Sequence, residues 1–308
     1  MKNSVTVVIP TYYRNELLRD AIESTRDNQS VVSEIVVVDG SGESNAETII
    51  SELEDFPIDI EYIPQNRDRG VAAAREEGVQ SSNGDFIRFL DDDDLLIPQS
   101  VAKQVQRHED TGAGVIYGAV EWPNGDTIHP NPKVSGDVLD RVLSLDSAPC
   151  YPSTMLVEKR LFNQIPPLQR LPSDDNGLKI ELAQLTPFEF IDSPVARRNG
   201  DDGGLGQELE VALNRKQTVD EYRELYKDFP PSIYRNAKKT VHIRESHALL
   251  SNSIWSPRAI FAGAKSAYYG RDVQSVGFFI STLFGRPGRD LGKSVYRTLQ
   301  GSVRTGNY

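Results

Sequence analysis

The stretch FIRFLDDDDLLIP, Phe86 to Pro98, decides the fold. It opens as an apolar run broken only by Arg88, the pattern of a buried strand. It then reaches four consecutive aspartates, Asp91 to Asp94, and goes straight on into Leu95, Leu96 and Ile97. Like charges at contact distance repel, and burying an unpaired carboxylate is costly. Either the aspartates form a solvated acidic turn, or something positive belongs beside them.

Working outward, the preceding chain alternates strand and helix patterns. Strands are predicted at Ser4–Pro10, Glu34–Val38, Ile58–Ile63 and Asp85–Leu90. Helices are predicted at Arg14–Gln29, Ser44–Leu53, Val71–Gln80 and Pro98–His108, with Ser44 and Glu47 spaced as a capping box. Such alternation implies βαβ units and a mostly parallel sheet flanked by helices. Ligands of such sheets bind beyond the carboxyl ends of the strands. Those ends carry Pro10-Thr11-Tyr12, Asp39-Gly40-Ser41 and the aspartates, so three polar signals converge on one edge. Past Val115 the pattern is mixed, with strands at Gly114–Val120, Ser153–Val157 and Pro187–Ile191 and a helix at Asp175–Leu185. RRNGDDGGLG, Arg197 to Gly206, reads as a glycine-rich loop, and the remainder as largely helical. The expected division is 1–205 and 206–308.

Charge narrows the function classes. The 308 residues carry a formal net charge of -11, which argues against nucleic-acid binding through phosphate contacts. Eleven Lys stand against 23 Arg, and 25 Asp against 20 Glu, a skew that suits a protein kept soluble in high salt. The single cysteine, Cys150, excludes an internal disulfide or a cysteine-rich zinc site. The apolar run at the N-terminus is too short for a signal peptide and reads as a first strand. No segment reaches the ~18 consecutive apolar residues of a membrane span. Residues 257–308 differ from the rest: eight Lys or Arg against two Asp, interleaved with aromatics from Phe261 to Tyr296. That combination suits an anionic membrane surface, or else a helical lid whose basic face is solvated.

VTVVIPTYYR, EIVVVDGSGE, NRDRGVAAAREEG and GDFIRFLDDDDLLIP follow one another in order over residues 5–98. Together they resemble the nucleotide-sugar-binding half of family 2 glycosyltransferases with the GT-A fold, strongly over about residues 4–120. The resemblance implies an α/β GT-A domain with a Rossmann-like sheet and, here, a helical C-terminal extension. It implies a divalent cation, Mn²⁺ or Mg²⁺, on a DxD-type motif, since hard cations take carboxylate and phosphate oxygens. Asp93 would be the direct ligand, Asp91 and Asp92 would meet metal, ribose or a bridging water, and Asp94 would support the loop. Pro10 and Tyr12 are assigned to the nucleobase, Asp39 to a hydrogen bond from it, and Arg75 to base or phosphate. VDGSGE stands where the family often has two adjacent acidic residues, which leaves UDP and GDP both open, UDP first.

Inverting transfer needs a general base for the acceptor hydroxyl. In LPSDDNGLKIEL the resemblance implies Asp175, then Asp174; either could instead simply cap the helix, as could Ser173. The acidic, Arg-rich composition and basic tail further resemble archaeal glycosyltransferases that build lipid-linked glycans for N-glycosylation of surface-layer proteins. That setting implies a dolichol-phosphate-linked acceptor, a hexuronic acid donor that Arg197 or Arg198 could meet, and a cytoplasmic location, peripheral on the inner face of the cell membrane. Two other classes compete: a metal-dependent nucleotidyltransferase, though PTYYRNE lacks its glycine-rich phosphate loop, and a non-catalytic sugar-nucleotide-binding protein.

Overall fold

The computed structural model describes residues 3–148, 150–171, 175–199 and 208–291. They form two compact units, Met1–Val142 with Ser147–Gly203, and Leu143–Asp146 with Gly204–Tyr308. In chain order the elements begin β1 (Val5–Thr11), α1 (Asn15–Ser24), β2 (Val32–Asp39), α2 (Glu47–Glu52), β3 (Asp59–Pro64) and α3 (Val71–Ser81). There follow β4 (Phe86–Phe89), β5 (Asp94–Leu96), α4 (Ser100–Thr111), β6 (Val115–Glu121), β7 (Thr127–Ile128) and α5 (Leu139–Leu143). β8 (Leu156–Glu158), α6 (Asp175–Ala183) and β9 (Phe188–Arg198) complete the first unit. The second unit is helical: α7 (Glu208–Glu221), α8 (Pro231–Ser251), α9 (Pro257–Gly270) and α10 (Val273–Leu283).

The sheet runs β3-β2-β1-β4-β8-β6-β9-β5, with β7 on β6. β3, β2, β1 and β4 are mutually parallel, as the βαβ pattern predicts. β8 lies antiparallel to both β4 and β6, so the second half is mixed. The chain leaves β1 toward β2 on one side and returns to β4 on the other. Ligands bind at such a reversal of strand order, and here it brings the carboxyl ends of β1 and β4 together.

Residues on the two faces of this sheet make the core. Val5, Val7, Ile9, Ile35 and Val37 pack with Leu18 and Ile22 of α1 and Val101 of α4 in one buried cluster. On the other face α3 lies against β1 and β2 at close range. A Cβ on Gly78 would stand 2.3 Å from Val8 Cγ1, so only glycine permits the approach. Pro10 sits in a central strand without harm. The β1–β4 ladder ends at Val8↔Phe89, and the nitrogen of Pro10 points to that side, past the last pair.

Two local expectations are corrected, and one strand is added. Ser44 does not cap α2: it takes a left-handed φ of 54°, and the helix starts at Glu47. The entrance of α2 is satisfied by Asp39 of β2, which accepts the Ala46 N–H at 2.9 Å. Arg197 and Arg198 are not loop residues; β9 carries them as far as Arg198. β5 went unforeseen, because three residues are too few to show a period; it exists by pairing with β9, Asp94 opposite Arg198.

Candidate active site

The positive charge that the aspartates call for is supplied first by arginines. Arg14, just past β1, places Nη1 3.1 Å from Asp92 Oδ1 and 3.1 Å from Asp93 Oδ2. Arg75 of α3 places Nη2 2.6 Å from Asp91 Oδ1, and Arg198 of β9 places Nη1 3.3 Å from Asp94 Oδ1. Beneath them Arg88 of β4 is fully buried and donates to the carbonyls of Phe89, Pro152, Met155 and Val195. Burial pulls its guanidinium down to about 9, against the pull of Asp94 and Asp91.

The four carboxylates do different work. Asp92 is buried and turned away, accepting from Thr11 Oγ1 at 2.9 Å as well as from Arg14. Burial raises its pKa, Thr11 and Arg14 offsetting part of the rise. Asp91, Asp93 and Asp94 face one another, with one oxygen from each lying within 4.8 Å of the others. Asp94, read from sequence as loop support, is therefore grouped with Asp91 and Asp93. Burial and then Asp91 push Asp94 up to about 7 against Arg198, while Asp91, half-buried, is held below its ordinary value by Arg75 against the cost of desolvation. Asp94 Oδ2 is buried and has no hydrogen-bond partner among the described residues. An orphaned buried carboxylate oxygen beside two more carboxylates, all hard donors, fits a divalent cation.

Asp175 opens α6, and its Oδ1 lies 3.5 Å from Arg75 Nη1, so one guanidinium spans Asp91 and Asp175. Its side chain is 40% exposed. Asp174 lies outside the described residues. Tyr12 and Tyr13, both largely exposed, meet edge to face with centroids 4.8 Å apart at the end of β1. Asp39 is 1% exposed, and its own loop occupies it. Oδ1 accepts from Ser41 N at 2.8 Å, and Oδ2 from Ala46 N at 2.9 Å and Tyr62 Oη at 2.8 Å. Burial opposes its charge, but these donors hold its pKa below the ordinary carboxylate value. Of the β9 arginines, Arg197 Nε holds Glu121 at 2.8 Å and Arg198 Nη1 holds Asp94 at 3.3 Å.

Sequence reasoning did not single out Arg14 or Arg88. Arg88 carried a signal, as a charge inside an otherwise apolar strand. Arg14 carried none apart from its place after strand one.

Residues 6–165 match the family model for glycosyl transferase family 2. The chain belongs to glycosyltransferase family 2. Among curated relatives, a GalNAc(5)-diNAcBac-PP-undecaprenol β-1,3-glucosyltransferase of Campylobacter jejuni is 29% identical over 115 residues, 37% of each chain. The chain thus aligns with well under half of that relative's length. In fold, this family 2 chain is similar to TarS 1–349 of S. aureus, solved with UDP-GlcNAc. The TM-score is 0.59 at 16% identity, over 99% of this chain and 93% of that one. It is also similar to the mannosyltransferase PcManGT of Pyrobaculum calidifontis, solved with GDP-Man and Mn²⁺. There the TM-score is 0.58 at 16% identity, over 97% and 86% of the two chains.

Proposed function

We propose that residues 1–205 form a metal-dependent inverting glycosyltransferase domain. It takes a sugar from a nucleoside diphosphate donor, UDP-linked, and passes it to a hydroxyl of a lipid-linked glycan. The observation that carries this is the convergence of Asp91, Asp93 and Asp94 on one point, with Asp175 tied to Asp91 through Arg75.

Each residue then has a task. Tyr12 offers an exposed ring on which a base can stack. Asp91, Asp93 and Asp94 would hold Mn²⁺ or Mg²⁺, which when bound offsets the charge developing on the departing diphosphate. Arg14 and Arg75 offset the repulsion among the carboxylates that they bridge, and would add positive charge for the phosphates. Asp175 takes the proton of the acceptor hydroxyl as that oxygen attacks the anomeric carbon. The bond from that carbon to the diphosphate oxygen breaks, and the diphosphate leaves with the electron pair. Attack opposite the leaving group inverts the centre.

Residues 206–308 would bring the domain to a cytoplasmic membrane face. No helix among the described residues is long and apolar enough to cross a membrane. α10 instead exposes Val273, Val276, Ile280 and Leu283, a spacing of three and four that puts them on one stripe. Trp255, Phe261, Tyr268 and Phe284 are exposed nearby in the sequence, with Arg258, Lys265 and Arg271 among them. The acidic groups between 254 and 291, Asp272 and Asp290, are paired with Lys239 and Arg289. Exposed apolar and aromatic side chains interleaved with cations suit anionic headgroups. A lipid-linked acceptor appears in the name of the Campylobacter relative. The acidic, Arg-rich composition is what supports a dolichol-phosphate-linked glycan in an archaeal surface-layer pathway as that acceptor.

Turnover and donor binding of Asp175→Asn test the catalytic reading. kcat should fall about 10²- to 10⁴-fold, the range for losing a general base, while the donor Kd stays unchanged. Unchanged kcat would leave Asp175 as a helix terminus and no more.

A further inference from the structure

A turn between α5 and β8 is held by polar side chains from three other elements. It runs from Tyr151 to Met155, with Ser153 and Thr154 buried. Pro152 opens it, and Thr154 Oγ1 closes it by accepting the Tyr151 N–H at 3.0 Å. Arg88 of β4 donates to Pro152 O at 3.3 Å and to Met155 O at 3.2 Å. Gln104 of α4 donates to Thr154 O at 2.9 Å, and Lys179 of α6 to Cys150 O, just before the turn, at 3.2 Å. All three side chains are buried. A buried guanidinium, amide or ammonium is costly to desolvate, and an apolar side chain of similar size could fill each place. Polar groups bonded in this way fix one arrangement of the backbone.

That backbone presents Ser153. Its Oγ accepts the Asp91 N–H at 3.2 Å, where the chain leaves β4. The last backbone bond to β1 is made one residue earlier, from the Leu90 N–H to Val8 O at 3.0 Å. Three residues on, the Asp94 N–H turns back to Asp91 O at 3.0 Å. Asp91 thus anchors the aspartate loop, and a side chain takes its N–H in place of a strand. Having accepted, Ser153 Oγ still has a proton to give. It lies near enough to Asp91 and Asp94 to favour the charged form of both carboxylates.

We propose that Ser153 is a positioning residue for the divalent cation, its hydroxyl setting the start of the aspartate loop so that the Asp91 and Asp94 carboxylates face one point. The inference rests on the cation reading above and adds to it a residue that is not itself a ligand. Carboxylates that face one another repel while no cation lies between them, and a loop free to relax would turn them apart. Ser153 stands on a turn that Arg88, Gln104 and Lys179 hold in place, so it resists that relaxation. Less binding free energy is then lost in gathering the ligands.

Mn²⁺ titrations of the full chain with UDP or GDP present, followed by calorimetry, test this. In Ser153→Ala the Mn²⁺ affinity should fall about 5- to 10-fold, the scale of one hydrogen bond. Ser153→Cys, kept reduced, preserves the shape but accepts only weakly, so its affinity should lie between the two. Should the alanine variant not fold, the cysteine variant carries the comparison. Thr6→Val is the stability control. It removes the hydroxyl that donates to Glu34 at 2.6 Å and accepts the Gly84 N–H at 3.0 Å, at the amino end of β1. It should lower the denaturant midpoint and leave the Mn²⁺ affinity at the wild-type value. Wild-type affinity in both Ser153 variants overturns the inference. So does a loss in Thr6→Val equal to that in Ser153→Ala, since the effect would then be one of stability alone. A wild type that binds Mn²⁺ with neither nucleotide sinks the cation reading, and the inference with it.

Discussion

Asp39 shows how one side chain serves the site without reaching into it. Its carboxylate gathers the Ser41 and Ala46 N–H groups and the Tyr62 hydroxyl, closing the loop after β2 and starting α2. Asn in its place offers one acceptor and turns an NH₂ toward the remaining donors. Asp39→Asn should lower unfolding stability by about 2 kcal/mol or more at pH 7, because hydrogen bonds to a charged group are the strong ones. The native pKa lies below the unfolded value. The stabilisation is therefore complete above ~3.9 and is lost as pH falls through the native pKa. Denaturant midpoints of the two proteins should differ most at neutral pH and converge below about pH 4. A gap that persists unchanged in acid would mean that the charge is not what stabilises the loop.

Among the elements, α3 matters most, since it carries Arg75 to Asp91 and Asp175. Its seat depends on Gly78. Alanine there would gain about 1 kcal/mol of helix propensity, yet its Cβ would press on Val8 at 2.3 Å. Overpacking of that kind costs about 1–3 kcal/mol, so sterics should win. Gly78→Ala should be less stable, and donor affinity should fall as Arg75 is displaced; a stabilised variant with unaltered affinity would refute this packing. The parallel elements β1 to β4 were legible in the sequence because β1 and β2 are apolar runs, β3 alternates apolar and polar residues, β4 is apolar but for Arg88, and each is followed by a patterned helix. β5 was not, since Asp94-Leu95-Leu96 has no period of its own and its pairing with β9 is fixed some hundred residues later in the chain. The same contact hid part of the site. Four aspartates in a row announce a cation, but not that Arg14, far off in sequence, would bridge Asp92 and Asp93 while Arg75 takes Asp91 and Arg198 takes Asp94. Nor could spacing reveal that Asp92 turns to Thr11 while Asp94 faces Asp91.

For the whole molecule, charge and exposed apolar surface are divided between the parts of the chain. A chain of net charge -11 should be repelled by anionic vesicles unless residues 257–308 bind them. The full chain should sediment with vesicles containing anionic lipid, and less so as salt screens the attraction. Val276→Glu with Ile280→Glu, on the exposed stripe of α10, should abolish sedimentation without unfolding the protein. Sedimentation that survives both substitutions would remove the membrane role. The central claim concerns the first unit, where Asp91, Asp93 and Asp94 meet. It is tested most directly by nucleotide release from a panel of UDP- and GDP-sugars, with Mn²⁺ and with chelator, for wild type and Asp93→Ala. We expect release from one donor that requires the metal and falls at least about 100-fold in the variant, as when a main charge stabiliser of the leaving group is lost. Release that is indifferent both to chelator and to Asp93→Ala would contradict the account.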